Sequence, residues 1–372
     1  MQENEGEKQY FNEVFALIHK NLSGIIFFHS NSCQNLLMNT KKNIYLIILL
    51  AVVTITGSSW GFLVHRTANQ LAVYKLPKPI QAFFHSNLDY LVRHSVRPDL
   101  RRNEDSTEAP KHFIDLEPFG DSAAWKLPLK WEDATRQFKA DSFIKYGYVP
   151  YHIISLQKRL TSAFRTGNKD SILFYATDLS HYIGDANVPL HTTLNYDGQL
   201  TNQKGLHNLW ESLIPELEIE RYQLYDRSKA TYLINPEEAI LTAIRRAFQL
   251  LPEMFEMERE VSKAFPDSLK YKIQMRNGKE VRSYSSAFAK AYNQRLRNTV
   301  LEQLWHTADL IADFWYTAWI DSGKPDLSLL LSKPFGKNDK KELKKEIKAY
   351  RQNDLIEKKL LISKKENLSS VF

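Results

Sequence analysis

The sequence predicts an all-α fold, built as a single multi-helix domain, and three observations predict it. Apolar residues recur at i, i+3, i+4 and i+7 along most of residues 60–322, prolines and glycines punctuate these runs at helix-length intervals, and no convincing alternating run or internal repeat interrupts them. Hydrophobic residues make up 43% of the chain and aromatics 12%, enough to bury a sizeable core, so most of the chain is expected to fold.

Taken in order, "HRTANQLAVYKL" reads as a helix stopped by Pro77 and Pro79, and "PIQAFFHSNLDYLVRHS" as one stopped near Pro98. A loop-rich section follows over about 97–140. "YVPYHIISLQKRLTSAFRT" and "KDSILFYATDLSHYIGDAN" are two long helical segments parted at Gly167, and the stretch from Val188 to Lys204 carries turn chemistry throughout. "PEEAILTAIRRAFQLLPEMFEME" opens with a proline and two glutamates, a favourable first turn. "SSAFAKAYNQRLRNTVLEQLWHTADLIADFWYTAWIDSG" is the longest helical run and ends at a glycine.

The formal charge is +7, but from Lys324 onward 13 Lys and Arg stand against 7 Asp and Glu, so +6 of it belongs to the tail. The body of the chain is nearly balanced, which argues against tight binding through many phosphate contacts. Residues 323–372 mix both signs at helical spacing and are expected to be a solvated helix or a frayed terminus.

Residues 38–59, "MNTKKNIYLIILLAVVTITGSS", begin with Met38, continue through Lys41 and Lys42, and carry an apolar run from Ile44 to Ile55. That run is about 12 residues, short of the ~20 that span a bilayer, and Gly57 and Ser59 stand at −3 and −1 of a cut before Trp60. A secretory signal peptide is expected, with an uncleaved signal anchor as the alternative. Residues 1–37 are then an upstream extension that precedes the true start. The protein is expected to be exported, periplasmic or secreted. Its one cysteine, Cys33, lies before the cut, so the mature chain would have no disulfide and no lipid-bearing cysteine.

The chemistry concentrates in "HYIGDANVPLH" and "HNLWE". His181 and Asp185 are spaced i, i+4 on one predicted helix, His191 follows a turn, and His207 and Glu211 repeat the i, i+4 spacing on the next. One such pair alone is ordinary surface polarity. Two pairs around a third histidine present nitrogen and oxygen donors as zinc-like metals require, and five donors exceed one tetrahedral site, so a multinuclear centre is expected.

"WGFLVH", "HFID", "HYIGDANVPLH" and "HNLWE", in that order and over residues 60–322, resemble the zinc-dependent phospholipase C and single-strand nuclease superfamily, the latter of the P-one/S-one type. The resemblance implies an all-α hydrolase of phosphate esters with three zinc ions. Trp60, through its freed α-amino nitrogen and its carbonyl, would bind one zinc with His65. Asp185 would bridge that zinc to a second, also held by His112 and His181, and His191, His207 and Glu211 would hold the third. Asp99 in "PDLRR" is the candidate for the aspartate that completes the second zinc's shell and orients the attacking water, with Arg102 touching phosphate. Asp105 is the fallback.

The resemblance leaves two substrate classes open. In the nuclease version Phe113 would stack on a base and Asp115 would accept hydrogen bonds from it, although Phe113 also reads as core. Glu211 is phospholipase-like at its position. The expected activity is therefore a single-strand nuclease and 3′-nucleotidase acting on nucleic acid or nucleotides. A phospholipase C acting on phospholipid headgroups is the alternative, and a non-catalytic zinc-binding protein a further one. No stable protein partner is expected, and the chain is expected to act as a monomer.

Overall fold

In the structure, a computed structural model, residues 61–276 and 279–365 are described. Trp60, the signal-peptide segment 38–59 and the extension 1–37 lie outside them. The first helix, α1 (Phe62–Lys75), starts after Gly61, whose φ of 87° is a left-handed conformation that glycine adopts without strain. It continues through α2 (Lys78–Ser86), α3 (Leu88–His94) and the short α4 (Arg97–Arg101). Pro79 and Pro98 sit in the first turns of α2 and α4, where a missing N–H costs nothing.

Short helical turns occupy the loop-rich section, after which α5 (Val149–Thr166) and α6 (Lys169–Ala186) form an antiparallel hairpin. Gly167, with φ 65°, caps α5, and the Asn168 side chain accepts from Ser171 N to start α6. The segment 206–218 is helical with a π turn at Leu209–Leu213. Then come α7 (Pro236–Ser262), strands β1 (Tyr271–Arg276) and β2 (Lys279–Tyr284), α8 (Ser286–Leu296), α9 (Thr299–Asp321) and α10 (Lys337–Arg351). The molecule is mostly helical, as the periodicity predicts. None of the described helices is long and apolar enough to cross a membrane.

The core is built around α1, which packs on α3, α6 and α9 and is buried from His65 to Lys75. A helix buried on every side must satisfy its polar groups internally. Asn69 donates to the His65 carbonyl at 2.9 Å and accepts from Ser180 Oγ at 2.9 Å. Lys75 ends the helix between Asp226 at 2.5 Å and Asp309 at 2.8 Å. On the far side of the bundle Trp315 of α9 stacks on Phe84 at 4.6 Å and donates its Nε1–H to the Ala176 carbonyl of α6 at 3.0 Å.

Two features differ from the sequence expectation. The first is the antiparallel hairpin of β1 and β2, in register from Tyr271↔Tyr284 to Arg276↔Lys279. Its alternating Ile273 and Met275 are about two-thirds exposed, so the alternation marks no core face, and the local signal is the Asn277-Gly278 pair between the strands. The second is the tail, which is neither solvated along its length nor frayed up to residue 365. Leu355, Leu361 and Ile362 are buried, Gln70 of α1 donates to the Leu360 carbonyl at 2.8 Å, and its Oε1 accepts from Ile362 N at 2.8 Å. The folded unit therefore extends past residue 322 and closes on its own first helix.

Candidate metal centre

The centre lies where the N-terminal part of α1, the C-terminal half of α6, α4 and the 206–218 helix meet. Its lining begins with close packing. His65, on the first turn of α1, stacks on His181 of α6 at 4.2 Å, and this requires Gly184: a Cβ there would lie 2.7 Å from the His65 ring. Gly61 likewise comes so near Glu211 that a Cβ on it would lie 3.0 Å from Oε1, which brings the chain just before α1 to the carboxylate.

Around Asp185 the donors converge. His65 Nε2 is 3.5 Å from Asp185 Oδ1, while His112 Nδ1 and His181 Nε2 are 2.8 Å and 3.3 Å from Oδ2. Asp99, half-buried on α4, places Oδ1 3.8 Å from His112 Nδ1 and 3.7 Å from His181 Nε2. Asp105, the fallback, instead accepts from Thr107 N and Oγ1 at 2.8 Å and 2.7 Å and stays apart from the histidines. A second cluster joins His191 Nε2 to His207 Nε2 at 3.1 Å and His207 Nε2 to Glu211 Oε2 at 2.6 Å. Glu211 Oε1 reaches to 4.0 Å from His65 Nε2, so the clusters are contiguous. His207 and Glu211 straddle a π turn rather than a regular α turn, a helical irregularity common at functional sites.

Three groups of side chains here can hold a metal ion: His65, His181 and Asp185; Asp99, His112 and His181; His191, His207 and Glu211. The proton positions test the fit. His181 Nδ1 donates to the Ser95 carbonyl at 2.8 Å, and His191 Nδ1 donates to the His112 carbonyl at 2.8 Å. Each Nε2 is then a lone pair in the neutral ring, and each is aimed at another imidazole nitrogen, His112 Nδ1 at 3.2 Å and His207 Nε2 at 3.1 Å. Lone pairs facing one another beside carboxylates require a cation between them, and backbone-fixed tautomers are how proteins orient metal-binding histidines.

The electrostatics say the same. Burial opposes ionisation of Asp185, but His181 and His112 outweigh it and hold its carboxyl well below the usual range. Glu211 is held low in the same way by His191 and His207. Burial pushes His181 down to about 4, a neutral ligand, whereas at His191 burial is overcome by Glu211 and Asp185, which raise it to about 9. A proton there does part of a metal's work.

The remaining predicted residues flank this centre. Arg102 is about half exposed, its Nη1 3.7 Å from Asp99 Oδ1, so it stands at the rim. The 112–116 strand is pinned by Ile114 N to the His191 carbonyl at 2.9 Å, Asp115 N to the Tyr146 carbonyl at 2.7 Å, and Gly147, whose Cβ would fall 2.2 Å from the Phe113 carbonyl. Phe113 is half-buried, so its ring is not closed within the core.

Asp115 is buried, and among the described residues nothing donates a hydrogen bond to its carboxylate. Burial, then the charge of Glu117, pushes it up to about 7. The folded state therefore binds this proton more tightly than the unfolded chain, and stability is expected to fall as pH rises from about 4 through 7. Asp115→Asn is expected to melt about 2–4 °C higher than the wild type at pH 8, with no gain at pH 4, in paired thermal scans. Equal differences at both pH values would refute the assignment.

Glu108, Arg101, Tyr182 and Asp178 are not singled out by the sequence, yet they surround His112. The available signal is the four-residue spacing from Glu108 to His112. An apolar cavity of about 480 Å3 adjoins His65 and Glu211, lined by Val64, Trp210, Pro215, Ile219 and Leu304, and it keeps one wall of the centre in low dielectric. The chain matches no protein-family model and no curated protein.

Proposed function

We propose that this protein is an exported zinc-dependent phosphodiester hydrolase, acting as a single-strand nuclease and 3′-nucleotidase. The observation that carries the metal reading is the pair of backbone-fixed imidazoles, His181 and His191, whose free Nε2 lone pairs face further nitrogens and carboxylates. Asp185 would be shared between zinc ions, with His65 on one side and His112, His181 and Asp99 on the other. His191, His207 and Glu211 would hold a third. Trp60 would complete the first through its α-amino nitrogen once the signal peptide is cut. A free α-amino group ordinarily titrates near ~7.7–8.0 and gives up its proton to a metal at little cost.

Bound zinc supplies Lewis acidity and brings the pKa of water toward ~7. The chain's own residues do the rest. Asp99 orients and deprotonates the attacking water, and Arg102, exposed at the rim, faces the phosphoryl oxygens as charge develops on them. Phe113 offers a ring for base stacking, worth about 1–3 kcal/mol and indifferent to sequence, and Asp115 accepts from the base edge. A buried carboxylate without a donor of its own supports that role.

The test offers zinc-loaded protein single-stranded DNA and mixed phosphatidylcholine micelles in parallel and compares initial rates. Faster DNA cleavage, reduced about tenfold or more by Phe113→Ala, is expected. Faster phosphocholine release that ignores Phe113 would move the protein to the phospholipases C, the reading that Glu211 favours. Full zinc content with neither reaction would make it a non-catalytic zinc-binding protein.

A further inference from the structure

The environment of His112 has a chemical meaning beyond the donor set itself. The ring is 2% exposed and uses Nδ1 toward the centre, 2.8 Å from Asp185 Oδ2 and 3.2 Å from His181 Nε2. Its Nε2 is buried without a well-formed hydrogen bond, and the atom it faces is Glu108 Oε1 at 3.5 Å. Glu108 is itself 1% exposed. It receives Lys111 Nζ on Oε2 at 2.7 Å, Arg101 Nη2 on Oε1 at 3.2 Å, and the Tyr182 hydroxyl on Oε1. A carboxylate ringed by two cations and a hydroxyl donor is ionised and can only accept. The partner nitrogen must then carry the hydrogen. Tyr182 packs its ring edge-on against His112 at 5.1 Å, so the imidazole cannot swing away from this arrangement.

We propose that Glu108 is the positioning residue that makes His112 an Nδ1 ligand: it holds the hydrogen on Nε2, turns the Nδ1 lone pair toward Asp185, His181 and Asp99, and raises the ring's basicity. This rests on the reading of the cluster as a metal centre. Arg101 and Lys111 serve it indirectly, by keeping Glu108 charged and in place. Loss of such a carboxylate behind a ligating histidine costs about 10–100-fold in metal affinity.

Two measurements on protein purified from cells expressing the full chain test this. In competition with a chromophoric chelator, Glu108→Gln is expected to weaken one zinc by about 10–100-fold and leave the zinc of His191, His207 and Glu211 unchanged, with Glu108→Asp intermediate. Unchanged affinity at every site in Glu108→Gln would overturn the proposal. Long-range 15N–1H spectra of the zinc-loaded wild type are expected to show His112 protonated on Nε2 and coordinated through Nδ1. The opposite assignment overturns it even if the Gln variant does not fold. If the wild type takes up no zinc, the metal reading fails. The tautomer of the metal-free ring at alkaline pH then still decides whether Glu108 fixes the Nε2–H.

Discussion

Asp185→Asn is expected to lose at least one zinc and to slow hydrolysis by about 10³-fold or more, the largest effect of any single substitution in the centre. Both oxygens of Asp185 are in use, Oδ1 toward His65 and Oδ2 toward His112 and His181. An amide keeps the shape but loses the charge, and one of its two ends becomes a donor. That NH2 would face a ring nitrogen whose lone pair is needed for the metal. Metal content by mass spectrometry, read beside initial rates and a melting curve, separates loss of the centre from loss of the fold. Full zinc and normal turnover in the variant would refute the bridging role.

The second large effect is expected far from the chemistry. Deleting residues 336–372 removes α10 and the segment that closes on α1, stripping away the buried side chains of Leu343, Tyr350, Leu355, Leu361 and Ile362. At about 1.5–3 kcal/mol for each large apolar side chain, the loss is on the order of 10 kcal/mol, comparable with the whole ~5–15 kcal/mol stability of a domain. Gln70 also loses both of its partners in the tail, Leu360 and Ile362. The truncated chain is expected to show no cooperative thermal transition and no zinc uptake, since α1 carries His65. A truncated protein with the wild-type melting curve would show that the tail merely covers the surface.

The parts of this protein that are legible in the sequence are those whose partners lie close along the chain. His181 with Asp185, and His207 with Glu211, announce themselves through one helical turn, and proline and glycine mark the ends of α2, α5 and α6. Asp99 and His112 are placed only through the family resemblance, because the turns between them have no period to read. Glu108 escapes notice because a lone glutamate before a short 3₁₀ turn looks like any solvated carboxylate. The tail misleads for a related reason. Its charged composition is real, but Gln70 and Leu360 meet across 290 positions, and no local pattern encodes such a contact.

The burial of α1 has a consequence for how the chain reaches its native state. The first helix of the folded unit is also its most enclosed one, and its last neighbours, around residues 355–363, are the final described part of the chain to be synthesised. At about 5–20 residues per second, α1 waits roughly 15–60 s for them after it is made. Such long-range closure slows folding, because loop entropy is lost before the contacts that compensate it can form. A nascent chain that cannot complete its core until it is finished stays unfolded for longer, which keeps it competent for passage through a narrow translocation pore.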